Sequence, residues 1–179
     1  VQTCALPISR QGAMSSFLPD VLTRIGEALG LSAQARRQAL AGSLLLSADN
    51  GHAVHPNFPE KADPANRVYP NGGVVIKYSA NQKYTTTGLT AGLFQAICQK
   101  AGVPVQVFAN RADEPGGSTL GNLLGHQVSI PMVDIGMAQL AMHSAVETAG
   151  SRDPEYMARA CAAFFQAEFT QTADGVYQF

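Results

Sequence analysis

From Ser15 to Gly30, the apolar residues Phe17, Leu18, Val21, Leu22, Ile25 and Leu29 recur at mainly helical spacing behind a serine and ahead of a glycine, which predicts a helix. A second, short helix is expected over "SAQARRQALAG", ending near Gly42. The apolar run "SLLLSAD" reads as a buried strand that delivers Asp49 at its C-terminal end. From Asn50 to Asn71 the chain turns to Pro, Asn, Asp and Gly, the mark of a long ordered loop. Then come a strand ("GGVVIKYS"), an amphipathic helix with Leu89, Leu93, Phe94 and Ile97 on one side, and a strand ("VPVQVFAN"). A short helix ("STLGNLLG") and a strand ("VSIPMVDIG") follow. The closing helix "DPEYMARACAAFFQAEF" has Asp153 as N-cap and Pro154 in its first turn, with Met157, Cys161, Phe164 and Phe165 turned inward. Strands alternating with helices at these intervals predict an α/β layered domain with a substantially parallel sheet, whose chemistry belongs at the carboxyl ends of its strands.

Composition narrows the function classes. A chain of 179 residues, 46% apolar and 14% charged, suits one domain with a substantial core. Its formal net charge of −1 gives no basis for binding nucleic acid or an anionic membrane surface. No apolar run approaches the roughly 20 residues of a membrane span. Cys4, Cys98 and Cys161 are too far apart for a zinc pattern or a disulfide framework and fit a reducing, cytoplasmic compartment, Cys98 and Cys161 as core residues. Val1 to Ile8 resemble the translation of a widely used short-read sequencing adapter, whose last base enters the Ser9 codon. Residues 1–9 are therefore expected to be non-native, Cys4 with them, and the native chain to begin upstream.

Candidate chemistry gathers in "SADNGHAVHPN", which puts Asp49, His52 and His55 within seven positions in a chain with four histidines. A zinc centre needs three or more protein ligands. Asp49 is either a ligand or a turn carboxylate; His52 and His55 are either ligands or hydrogen-bonding supports. His143, in "QLAMHSAVE", is the other attractive ligand, with a purely structural histidine as its alternative. His126 reads as a surface helix end without a role. Lys77 interrupts an apolar strand, so it either faces solvent by alternation or stands as a buried point charge for a carboxylate. The Gly-rich turn "RADEPGGSTLG" could meet an anionic group but lacks the Lys-Ser/Thr of a P-loop.

Four motifs in order, "SADNGHAVHPNFPEK", "GGVVIKYSANQKY", "RADEPGGSTLG" and "MVDIGMAQLAMHS", resemble the C-terminal half of the aspartyl aminopeptidase family, over nearly the whole chain beyond the adapter-like segment. That resemblance implies the C-terminal half of a three-layer α/β/α zinc-exopeptidase domain with a mixed, largely parallel sheet, and residues 10–179 as the C-terminal part of its catalytic unit. It also implies two Zn2+ ions per complete site, peptide substrates with acidic N-termini, and a dodecameric homo-oligomer. Residue by residue, Asp49 matches a carboxylate ligand to one zinc and His143 a histidine ligand to the other. His52 and His55 match supporting histidines. Lys77 matches a substrate-pocket residue suited to an acidic side chain; Gly117, Ser118 and Thr119 match the turn near the substrate, and Tyr84 a nearby position.

The family's general-base glutamate and its remaining ligands, a histidine, a bridging aspartate and a glutamate, are expected upstream, so this chain alone is expected to be inactive. Two departures stand out: Asn66 replaces a frequent histidine before Arg67, and Val146 replaces an arginine, leaving Glu147 without its expected partner. A strand edge left open by absent neighbours is expected to favour aggregation. Two other readings remain open here: a non-catalytic binding or scaffolding remnant, and a related cocatalytic-zinc aminopeptidase of different specificity.

Overall fold

The computed structural model describes residues 9–114, 116–173 and 176–178, with the backbone alone at Gln171. The adapter-like stretch Val1 to Ile8, including Cys4, lies outside the described residues. Helices α1 (Phe17–Ala28) and α2 (Ala33–Ala41) come first; Ser32 caps α2 by accepting the Ala35 N–H. Strand β1 (Leu45–Ala48) leads to a two-residue strand β2 (Gly51–His52) inside the expected loop, then to β3 (Val74–Tyr78). Helix α3 (Gly88–Lys100) opens with a reciprocal Thr87–Thr90 capping box, which satisfies N–H groups that a helix start leaves unpaired. After it come β4 (Val105–Ala109), α4 (Leu120–Gly125), β5 (Met132–Gly136), β6 (Ala138–Leu140), β7 (Thr148–Ala149) and α5 (Asp153–Gln166). Strands β8 (Thr170–Ala173) and β9 (Val176–Gln178) pair with each other at the end. No helix among the described residues is long and apolar enough to cross a membrane.

The main sheet has the order β1-β5-β3-β4. Strand β1 runs parallel to β5 and β3 parallel to β4, while β3 and β5 meet antiparallel, so two parallel pairs join along one antiparallel seam. The expected mixed α/β sheet is thus present. A second sheet, β2-β6-β7, was not legible from strands of two and three residues. It pairs Gly51 with Ala138 and His52 with Gln139 in parallel, and closes the β6–β7 hairpin around residues 141–147.

Period-two alternation gives the main sheet two different faces. Val74, Ile76, Val133 and Ile135 point to a core closed by Ala91, Phe94 and Cys98 of α3 and Ala160 of α5. The other face carries Val75 with Tyr84, Phe108 and Ala138, and also a polar row described below. Two residues expected inward are exposed: Leu89 lies at the α3 start, beyond the packed stripe, and Phe165 in the last turn of α5, where it packs edge-on against Phe164. Cys98 is buried and Cys161 half-buried; burial pushes the Cys98 thiol up to about 11. Asp153 does not cap its own helix. Its buried carboxylate accepts the N–H groups of Asn71 and Gly73, clamping the turn that enters β3.

Candidate metal and substrate site

Across the second face, parallel pairing sets Ser47 of β1 beside Asp134 of β5, and the next step of the β3–β5 register sets Lys77 opposite Asp134. All three are buried. Buried charges within a sheet are tolerated only when their hydrogen-bonding capacity is filled. Asp134 meets that condition with four donors. The hydroxyls of Ser47 and Thr119 donate to one carboxylate oxygen, the N–H and hydroxyl of Thr85 to the other. Its own N–H donates to Thr86 Oγ1 at 2.8 Å. The Gly121 N–H donates to Ser47 Oγ at 2.8 Å, and a Cβ at Gly121 would press on Asp134 and Thr85. One carboxylate thereby ties the Tyr84–Thr86 strap and the Gly117–Thr119 turn to the sheet.

Lys77, 1% exposed, does not face solvent. Its side chain runs along the face so that Nζ donates to the Asp49 carbonyl at 2.7 Å, and it lies 5.1 Å from the centroid of the Tyr84 ring. Burial lowers its pKa, opposed by the nearby carboxylates of Asp49 and Asp134. Tyr84 is buried against Phe108 and receives the Asn110 amide on its hydroxyl; burial raises its pKa.

Asp49 follows β1 with its N–H on the Ile135 carbonyl, and its side chain is exposed. Gly136 makes this placement possible, because a Cβ there would run into the Asp49 carbonyl. The β2–β6 ladder then carries His52 alongside Gln139, close to the loop that holds His143. Crowding around the His52 ring lowers its pKa, with smaller contributions from positive charge on His143 and Lys77. Although His52 retains accessible surface, desolvation of its ring is the larger effect. Asp49, His52, Lys77, Tyr84 and His143 thus share one neighbourhood. His55 lies next to it: its Nδ1 accepts the Asn57 N–H, its ring tilts on Phe58, and it lines a cleft with His52, Lys61 and Arg111. Asn66 closes its own loop by two hydrogen bonds to Asp63.

His143 is exposed on the β6–β7 loop with φ 68°. Its N–H donates to Glu147 Oε1 at 2.6 Å, and that bond, with the nearby Gln139 amide, lowers the Glu147 pKa. Glu147 is therefore partnered despite Val146, contrary to expectation. Gly117 and Ser118 are exposed while Thr119 is buried; Lys83 Nζ holds the turn through the Gly116 carbonyl at 2.7 Å, and Asn122 bonds Ser118. Pro115 of the same turn lies outside the described residues.

The sequence reading missed Asp134. Its signal was an acidic residue inside an apolar strand, the same interruption that drew attention to Lys77.

A carboxylate and an imidazole are donor types that zinc takes, and Asp49 and His143 offer one of each from adjoining loops. Among the described residues, however, no three His, Cys, Asp or Glu side chains form a metal-holding group. Those two donors alone fall short of the three or more protein ligands that a zinc centre needs.

Comparison with known proteins matches the chain to part of longer proteins. The family model for aminopeptidase I zinc metalloprotease (M18) matches residues 7–165. The probable M18 family aminopeptidase 2 of Mycobacterium tuberculosis (strain H37Rv) is 44% identical over 163 residues, covering 91% of this chain and 38% of that protein. Its counterpart in Mycobacterium leprae is 46% identical over 160 residues, 89% of this chain and 38% of that one. Among solved structures, a chain of the Ape4–Nbr1 complex superposes with a TM-score of 0.86 at 42% identity, over 89% of this chain and 30% of that one. The S. cerevisiae mApe1 dodecamer gives a TM-score of 0.77 at 28% identity, over 89% and 35%. The chain spans little more than a third of the relatives it matches. With its fold and residues 7–165 both on that pattern, it belongs to the M18 family of aminopeptidase I zinc metalloproteases.

Proposed function

We propose that this chain supplies part of the catalytic domain of a zinc aminopeptidase that removes acidic residues, Asp or Glu, from peptide N-termini. In this reading Asp49 and His143 each hold one of two zinc ions. Bound zinc would polarise the scissile carbonyl and lower the pKa of a bound water. Lys77 and Tyr84 form the pocket for the acidic side chain, and the Gly117–Thr119 turn presents the substrate backbone. His52 supports the metal side of the site; His55 supports the neighbouring loop. The remaining ligands and the general base belong to the portion of the family's length that this chain does not span, so the chain by itself is inactive. The complete protein is a cytoplasmic homo-oligomer, a dodecamer like the yeast relative.

The observation that carries the specificity is Lys77, a buried ammonium next to the Asp49 backbone and over the Tyr84 ring. Its test is Lys77→Ala in the complete polypeptide, assayed on matched peptides with acidic and neutral N-termini. Losing one partner of a desolvated charge pair costs about 2–5 kcal/mol, so kcat/KM on the acidic peptide should fall at least about thirtyfold. The neutral peptide should change little. Equal loss on both peptides would instead favour a second reading, in which Lys77 serves only to hold the Asp49 and Asn50 carbonyls it already contacts.

A further inference from the structure

Between Asp49 and His143 lie three polar side chains, Asn50, Gln139 and Glu147, that the proposed reaction does not use. Asn50 directly follows Asp49; its Oδ1 accepts the Met137 N–H at 3.2 Å and its Nδ2 donates to Gln139 Oε1 at 2.7 Å. That bond leaves the Gln139 amide N–H groups available to the nearby Glu147 carboxylate, whose Oε1 accepts the His143 N–H. Gln139 is buried, 4% exposed, at the centre of the β2-β6-β7 sheet. The loop it supports is held unusually: Ala141 and His143 both have left-handed backbone, φ 55° and 68°, where L side chains persist only when their surroundings fix them. Ser144 braces the same loop through the Ala141 carbonyl and Val146.

We propose that Asn50, Gln139 and Glu147 are positioning residues forming a directional hydrogen-bond relay that fixes the His143 imidazole relative to the Asp49 carboxylate. This rests on the reading of Asp49 and His143 as metal ligands. Every link has a defined polarity: the amide at position 50 donates, Gln139 passes the direction on, and a carboxylate with two acceptor oxygens receives both Gln139 and the His143 N–H. Metal sites demand ligand placement within a few tenths of an ångström, and two ligands on separate loops need such a tie.

Directionality supplies the test. In the complete polypeptide, Asn50→Asp keeps size and shape but removes the donor, so the Gln139 amide must turn over and aim its carbonyl oxygen at Glu147. Glu147→Gln alone leaves one acceptor oxygen for two donors. Combined, the two substitutions reverse the relay throughout: the new carboxylate accepts from Gln139, whose oxygen accepts from the new amide, whose own oxygen still accepts the His143 N–H. Net charge is unchanged in the double variant.

Zinc affinity would be measured by competition with a chromophoric chelator. Backbone exchange over residues 139–149 would be followed by hydrogen–deuterium exchange mass spectrometry. Each single variant should weaken zinc about 10–100-fold and speed exchange of the loop, and the double variant should recover both. Singles that bind zinc normally, or a double variant no better than the singles, would overturn the relay. Asp49→Asn and His143→Asn run alongside as references. If those bind zinc like the parent protein, the ligand reading itself fails, an outcome distinct from failure of the relay.

Discussion

The two faces of the main sheet solve burial in opposite ways. On one, Val74, Ile76, Val133 and Ile135 meet Phe94, Cys98 and Ala160, and contact area alone stabilises the layer. On the other, Ser47, Asp134 and Lys77 are buried as deeply, yet each is tied to a particular strap, turn or carbonyl. The first face tolerates any apolar set of the right volume. The second depends on particular atoms, and that is the face on which the candidate site is built.

The sharpest contrast comes from truncating each face in turn. Phe94→Ala should cost the most, about 3–5 kcal/mol, through the cavity it leaves, seen as a lower urea midpoint. Asp134→Ala should follow at about 3 kcal/mol, because the donors of Ser47, Thr85 and Thr119 lose their acceptor. Asp134→Asn, which keeps one acceptor oxygen, should cost less in the same titration. If both Asp134 variants matched the parent protein, the polar row would be ornament rather than support. Gly136→Ala should cost about 1–3 kcal/mol, by pushing the Asp49 carbonyl away. Lys77 should move with it, so near-ultraviolet circular dichroism should report a changed Tyr84 environment.

The smallest effect concerns pH. His52 is held below its ordinary value of 6.5 in the folded protein. Its contribution is therefore complete above that value and is lost as pH falls from there through the folded-state pKa, where the unfolded chain binds the proton more readily. Urea midpoints across that range should decline toward acid, and His52→Gln should flatten the decline.

Periodicity made α3, α5 and the four main strands legible, because long segments average out local noise. It also brought Asp49 to the end of β1. End effects defeated it at Leu89 and Phe165, which occupy helical stripe positions at element ends and stay exposed. Asp153 looked like an N-cap because its residue type and position fit, but the turn before β3 competes for the same carboxylate. The β2-β6-β7 sheet was invisible, since two residues carry no period. For that reason the partners of Glu147 could not be found from sequence, whereas the motif residues themselves could.

The polar row has one more consequence, for how the strands find their alignment. Side chains on a strand alternate, so sliding β5 by one residue would turn Asp134 toward Phe94 and Ile76 and present an isoleucine to Lys77. A carboxylate and an ammonium would each lose their partners in an apolar layer, at a cost of several kcal/mol. An all-valine sheet would forgive that slip. Here Asp134 and Lys77 act as a key, admitting one alignment of three strands and rejecting its neighbours while the chain is still assembling.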